Sequence, residues 1–349
     1  MVGLVLEGGG VKGSYQIGSY LAFKKCGIKI DGIVGTSIGS FNGAMIASGK
    51  DKELYEFWKN IDIGYILGLN ENYVKSVNDK KLFKEFIYGL VQTKEIIENK
   101  GISPDKMKKT LDIILDEKKL RKSNMDYGLV TVKLKSVKNI KPLYLFKEDM
   151  EEGKVSEYIL ASCNLPVFKK TKLIDGEYYV DGGFYDNSPI KMLIDKGYNK
   201  IYVVNIQGIG IYKKKKKDIN TEIINIVPSR YLGGTLNVDK EKINDNIKLG
   251  YYDTLKLLKN YDGFNFIFKK RLNMLYNMNA KRVNDDLLKR VKKFFGVESN
   301  KEAIIKSLEY VMVKEGITYY DIYSIRFVIK WIKNNTNKKH FVYQFIKSL

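Results

Sequence analysis

The chain opens on an unbroken apolar run, Val2-Gly3-Leu4-Val5-Leu6, the pattern of a strand buried on both faces. A glycine-rich segment, Glu7-Gly8-Gly9-Gly10-Val11-Lys12-Gly13, separates it from a helix predicted over Ser14–Lys25. Residues 28–34 predict a second strand, and a second helix follows Ser37 and ends near Gly49. Strand–helix–strand–helix order predicts an α/β fold, a mainly parallel sheet with helices on both faces. Over 51–125 the period changes. Leu54, Phe57 and Trp58, then Leu82, Phe83, Phe86, Ile87 and Leu90, recur at helical spacing, and Pro104 opens a helix carrying Met107, Leu111 and Ile114. This reads as a helical insertion whose aromatic residues pack into the core, with a lipid-facing cap as the alternative. Strand patterns return at 127–134, 141–146, 178–180, 200–206 and 223–227. Helical ones fall at 154–162, 189–196, 239–260 and 283–295. Residues 1–260 therefore read as one domain, and 261–349 as a helix-rich basic region whose role is open.

With 349 residues, 44% of them hydrophobic, the chain can bury a sizeable core. No apolar run approaches the ~20 residues of a membrane span. The N-terminal segment lacks the basic start and long apolar middle of a secretory leader. The expectation is a cytoplasmic protein, peripheral at a membrane. Two cysteines, Cys26 and Cys163, are too few for a disulfide framework and read as reduced, partly buried thiols. The formal net charge of +21 invites a polyanion, and nucleic acid and an anionic bilayer both qualify. The bland reading is the Lys, Ile, Asn and Tyr bias of an AT-rich genome. Lysine dominates over arginine, which argues against sequence-specific nucleic-acid binding and suits diffuse attraction to lipid. The run Lys213-Lys214-Lys215-Lys216-Lys217 is a solvated loop or, placed on the rim of the sheet near Ser37, a steering element at ~1 kcal/mol per lysine.

The single histidine, His340, reads as a partly exposed surface side chain, which leaves histidine-ligated metal sites and a Ser-His-Asp triad without their key residue. Gly35-Thr36-Ser37-Ile38-Gly39 has the strand–turn–helix context of a nucleophile elbow, with Gly35 and Gly39 leaving room for the bend. Gly8-Gly9-Gly10 offers bare N–H groups at a helix N-terminus, an oxyanion hole supported by Lys12 and Gly13. With no histidine at hand the base must be a carboxylate. Asp181, at a strand end before Gly182 and Gly183, is the choice, provided burial raises its proton affinity. Two other readings stay open. Gly8-x-Gly10-x-x-Gly13 is also a dinucleotide fingerprint, with Asp31 roughly where a ribose-binding acid would fall. A non-catalytic basic module for membrane surfaces would need neither motif.

The three segments Glu7 to Gly13, Gly35 to Gly39 and Asp181 to Gly183 resemble, in order and spacing, the patatin-like phospholipases. Ala161-Ser162 with Pro166 and Phe168 looks like that family's Ala-Ser-x-x-x-Pro segment, and Asn187-Ser188-Pro189 like its Asn-x-Pro. The resemblance covers about residues 1–260. It implies a Ser37–Asp181 dyad, an oxyanion hole at Gly8 to Gly10, hydrolysis of fatty acyl esters of phospholipids or related lipids through an acyl-enzyme, and neither metal nor other cofactor. Two departures are mild. Ile38 stands where the family often has alanine, and Ser188 where asparagine is common. They leave the chemistry intact and bear on the shape of the acyl pocket.

Overall fold

The structure is a computed structural model that describes residues 1–60, 104–136, 139–165, 171–213, 220–236 and 239–349. The helix expected around Leu82–Leu90, the Pro166 and Phe168 positions and most of the lysine run lie outside the described residues. The chain forms two compact units, Met1–Tyr251 and Tyr252–Leu349. The helix Lys240–Leu258 contains the division.

In the first unit the opening run is β1 (Val2–Leu6), central in a sheet and parallel to both neighbours, β2 (Gly32–Thr36) and β6 (Lys200–Val204). Outward lie β3 (Asp126–Ser136), parallel to β2, and β7 (Glu222–Ile226), parallel to β6. β4 (Asn139–Phe146) closes the edge antiparallel to β3. The order is β4-β3-β2-β1-β6-β7, with β5 (Tyr178–Asp181) also on β3. The β1 residues Leu4, Val5 and Leu6 are fully buried, as strands covered on both faces require. Val5, Val34, Val130, Ile201 and Val203 pack with Met192 and Leu193 of a short helix, Ile190–Asp195, that follows Pro189.

Helices α1 (Ser14–Lys25), α2 (Ile38–Ala47) and α3 (Asp51–Asn60) follow β1 and β2 in the chain. β2 begins four residues later than its apolar pattern suggests. The Ile28 N–H folds back onto Phe23 O at the end of α1, and the ladder with β1 opens only where Asp31 N–H reaches Val2 O. Beyond the undescribed stretch come α4 (Asp105–Ile114), α5 (Glu117–Lys122) and, after β4, α6 (Val155–Ser162).

One feature of register brings the turn at Ser37 next to Asp181. β2 occupies one edge of β3 from Asp126 to Val130 and leaves it at Thr36, where the chain turns into Ser37. β4 holds the opposite edge. The vacated edge is taken by β5, running antiparallel, whose last residue, Asp181, lies opposite Thr131. Thus Thr36, the residue before Ser37, and Asp181 pair with consecutive residues, Val130 and Thr131, of the same strand, and so bring together two segments about 145 positions apart in sequence.

The second unit is helical around its own core. Ile304, Ile305, Leu308, Val311 and Met312 of the central helix Asn300–Lys314 pack with residues from the helices Asn273–Ala280, Asp285–Phe295, Ile325–Asn335 and Phe341–Ser348. Ser299 caps the central helix by accepting from Glu302 N–H, and the buried Glu309 carboxylate accepts from the N–H groups of Phe264, Asn265 and Phe266. His340 is exposed and caps Phe341–Ser348, its ring stacked on Tyr310. Among the described residues no helix is long and apolar enough to cross a membrane.

Candidate active site

Ser37 sits between β2 and α2 with φ +55° and ψ −128°, a conformation a non-glycine residue holds only at a cost of order 1–3 kcal/mol, when its surroundings over-determine it. They do so here. The Ser37 N–H donates to Ser162 Oγ at 2.9 Å, and that hydroxyl donates in turn to Val130 O at 2.7 Å. The Ser37 carbonyl accepts from Ser40 N–H and Ser40 Oγ. Thr36 Oγ1 ties the last residue of β2 to Asp186 O at 2.9 Å. Gly39 lies against the Leu6 carbonyl and Gly35 against Gly39, so the elbow is packed backbone to backbone.

Asp181 is 2% exposed. Its Oδ1 accepts from Gly183 N–H at 2.7 Å, while Oδ2 is buried without a hydrogen-bond partner. Burial pushes its pKa up from 3.8 to about 7, against the lowering influence of the Ser37 hydroxyl and the Gly183 N–H. The Ser37 hydroxyl is thus close enough to act on the carboxyl, yet it makes no bond of ordinary length to Oδ2. Gly182 is where the approach is closest. A methyl group there would lie 2.1 Å from Val130 O and 3.1 Å from Thr36 Cγ2.

The glycine loop divides into two parts. Gly8 stands beside Ser37, since a methyl group on Gly8 would be 3.0 Å from Ser37 Cβ. Its backbone is nonetheless taken: Gly8 N–H donates to Asn187 Oδ1 and Asn187 Nδ2 donates to Gly8 O, both at 3.1 Å. The N–H groups of Gly9 and Gly10 donate to no group among the described residues. Gly10 has φ +58° and abuts the Thr235 carbonyl, which accepts from Val11 N–H. Gly13 is packed on the Ile38 side chain. Lys12 is buried and its ammonium donates to Gln207 O at 3.0 Å.

Three residues noted only as motif marks or left aside turn out to build the site. Asn187 braces the Gly8 backbone and also donates to the Tyr212 hydroxyl. Ser162 braces Ser37. Cys163 lies with Ser37, Ser40 and Asp181, and burial, then the Asp181 charge, push its thiol pKa well up. The Asn-x-Pro and Ala-Ser spacings were the available signals for the first two; nothing local marks Cys163.

Asp31, needed by the dinucleotide reading, is at the opposite end of the sheet. Its carboxylate accepts from Val2 N–H at the start of β1, whereas the glycines follow the end of β1. The fingerprint therefore lacks its ribose-binding acid at the proper end.

An apolar pocket adjoins Ser37, lined among others by Gly10, Ile38, Phe41, Trp58, Leu111 and Cys163.

Curated relatives are similar over part of this chain. The lysophospholipase nte1 of Aspergillus terreus is 56% identical over 50 residues, 14% of this chain and 3% of that protein. The lysophospholipase NTE1 of Debaryomyces hansenii is 27% identical over 215 residues, 60% of this chain and 12% of that one. The matched region is thus a small part of these much longer proteins. Among solved structures, VipD from Legionella pneumophila aligns over 99% of this chain and 83% of its own, at 15% identity and TM-score 0.43. ExoU from Pseudomonas aeruginosa, solved in complex with SpcU, aligns over 100% and 70%, at 14% identity and TM-score 0.38. The model of the patatin-like phospholipase family matches residues 4–194, more than half of the chain and the whole of the Ser37, Asp181 and glycine-loop constellation, and the protein belongs to that family.

Proposed function

We propose that the protein is a serine lipid acyl hydrolase that cleaves fatty acyl esters of phospholipids or related lipids with a Ser37–Asp181 dyad. The observation that carries this reading is Asp181 Oδ2, a buried carboxylate oxygen with no donor, beside the hydroxyl of a strained serine. In the first step Ser37 Oγ attacks the acyl carbonyl carbon as its proton passes to Asp181 Oδ2. The developing oxyanion takes the N–H groups of Gly9 and Gly10, with Gly8 held behind them by Asn187. One such donor is typically worth ~3 kcal/mol in the transition state. The tetrahedral intermediate then expels the alcohol, which takes the proton from Asp181. Water, deprotonated by the same carboxylate, hydrolyses the acyl-enzyme and restores Ser37. A pKa near 7 suits this double duty, because the group must both accept and return a proton near neutrality. The similarity to lysophospholipases favours a monoacyl phospholipid as substrate.

The reaction is proposed to run in transient contact with an anionic membrane. The +21 charge supports this, as does a stretch of the second unit. Between Asp262 and Asp285 there is no acidic residue. The exposed Leu272, Met274 and Met278 are there bracketed by the exposed Lys269, Lys270, Lys281 and Arg282, apolar side chains framed by cations as at a bilayer interface.

Labelling by a fluorophosphonate tests the nucleophile. The wild type should be labelled and should release fatty acid from phospholipid; Ser37→Ala should do neither. Vesicle binding with no Ser37 labelling would instead favour a non-catalytic membrane module.

A further inference from the structure

The segment that follows β6, Asn205 to Tyr212, belongs to none of the three motifs, yet it is tied to both halves of the site. On one side it holds the glycine loop. Ile206 N–H donates to Oε2 of the buried Glu7 at 3.2 Å, and Gln207 O accepts from the Lys12 ammonium at 3.0 Å. Gly208 lies so close that a methyl group on it would be 1.8 Å from Gly8 O. On the other side the segment holds the loop after Asp181. Ile211 N–H donates to Gly183 O, and Asn187 N–H donates to Ile211 O, both at 2.8 Å. Tyr212 ends the segment with its ring exposed and its hydroxyl turned inward. That hydroxyl donates to Gly208 O at 2.9 Å and accepts from Asn187 Nδ2 at 2.9 Å, with Glu7 Oε2 3.5 Å away.

We infer that Tyr212 is a positioning residue for the hydrolysis: its hydroxyl fixes the orientation of the Asn187 side-chain amide, and through it the Gly8–Gly10 backbone that presents the oxyanion donors. The inference rests on the reading of Ser37 as nucleophile and of the Gly9 and Gly10 amides as donors, and deepens it. A primary amide can turn over and exchange its acceptor for its two donors. Only one of the two arrangements serves Gly8, with Oδ1 on its N–H and Nδ2 on its carbonyl. The other sets oxygen against oxygen and hydrogen against hydrogen. A lone pair placed beside Nδ2 selects the first. Tyr212 supplies that lone pair because its one proton is directed to Gly208 O. Burial, then the Glu7 charge, push the phenol pKa well up, so the hydroxyl keeps its proton throughout the neutral range. In this role Tyr212 acts through Asn187 and touches no reacting atom.

Tyr212→Phe removes the hydroxyl and keeps the ring. On a soluble short-chain ester its kcat should fall about tenfold, with KM within about twofold of wild type. In an Asn187→Ala background the same substitution should change kcat less than about twofold, since a residue that acts through Asn187 then has nothing left to position. Equal losses in both backgrounds, an unaltered kcat, or a rise in KM alone would each overturn the inference. A second measurement needs no turnover. Amide hydrogen exchange, followed by mass spectrometry in Ser37→Ala protein, should quicken several-fold in peptides carrying Gly8 to Gly13 when Tyr212→Phe is added, and should keep the parent rate over β3 and β7. Unchanged exchange at the glycine loop overturns the inference. So does exchange that quickens over those strands as well, or a variant that does not fold, because the hydroxyl then serves the whole unit. If the wild type hydrolyses no ester, the reading of Ser37 fails, and the exchange rates alone decide whether Tyr212 holds the loop.

Discussion

Asp181 carries the sharpest consequences at the level of single residues. Its carboxyl is held at about 7 by burial, and the base form is the deprotonated one. The kcat/KM of the hydrolysis should therefore fall below neutrality, with an acid-limb midpoint near pH 7. An acid limb near 4 would show that the base is not a carboxyl raised by burial. Stability runs the other way. A raised folded-state pKa means that the native chain holds a proton which the unfolded chain has lost between about pH 4 and 7, so stability is greatest below that window and is lost as pH rises through about 7. The rise from 3.8 to about 7 sets an upper bound of about 4 kcal/mol. Asp181→Asn, which cannot ionise, should be inactive yet melt several degrees above wild type at pH 8, the gap closing towards pH 4. Ser37 obeys the same logic through its backbone. Ser37→Gly should abolish turnover and stabilise by about 1 kcal/mol in denaturant titration, because glycine adopts φ +55° without strain. A destabilised Ser37→Gly protein would mean that the Oγ contributes more to the fold than the strain costs.

Among elements, the glycine loop and the β2–β3–β5 junction do the positioning, and they divide what the sequence could and could not tell. The parallel sheet was legible because β1, β2 and β6 are buried on both faces and read as apolar runs. α1 was legible to the residue, from the glycine segment before it to the lysines that end it. β2 was read four residues early, since Ile30 and Ile33 look alike in sequence and only Ile33 enters the ladder. In the second unit the apolar spacing over 283–295 predicts a helix that the structure places at Asp285–Phe295, while the rest of the unit reads only as helix-rich. Its helices bury their apolar positions against one another, and no turn or cap signal in that region names a topology. The meeting of Ser37 with Asp181 depends on β5 replacing β2 along β3, a pairing between distant segments that local pattern does not encode. The role of Asn187 is of the same kind. Removing it strips both backbone groups of Gly8 of their buried partners, at a cost of roughly 1–3 kcal/mol for each group left unsatisfied. Asn187→Ala should lower kcat about 10- to 100-fold, by loosening the loop that carries the Gly9 and Gly10 amides, while fluorophosphonate still labels Ser37 slowly. An unaltered kcat would show that the loop keeps its shape without this brace.

For the molecule as a whole the governing quantity is charge. The second unit carries 20 Lys and Arg against 9 Asp and Glu over residues 252–349, roughly half of the net charge of +21 on little more than a quarter of the chain. Such an excess makes a compact state repel itself and draws it to polyanions. If the partner is a bilayer, two separable contributions follow. The electrostatic part scales with the anionic lipid fraction and is screened by salt, over a Debye length of ~10 Å at 0.1 M and ~3 Å at 1 M. The apolar part comes from Leu272, Met274 and Met278 and is not screened by salt. Co-sedimentation with vesicles containing 30% phosphatidylglycerol (roughly the composition at which surface potential becomes appreciable) should therefore fall steeply between 0.05 and 0.5 M salt, leaving a residual fraction that the Leu272→Ser/Met274→Ser/Met278→Ser variant loses. Met274 and Met278 lie on the exposed face of Asn273–Ala280 and Leu272 is exposed just before it, while Tyr276 and Ala280 hold the buried face, so the variant should fold. Its hydrolysis of a soluble short-chain ester should match wild type, and its hydrolysis of vesicle lipid should not. Equal rates on vesicles for the two proteins would mean that the basic unit meets some other polyanion and that Ser37 reaches its lipid without help from this face.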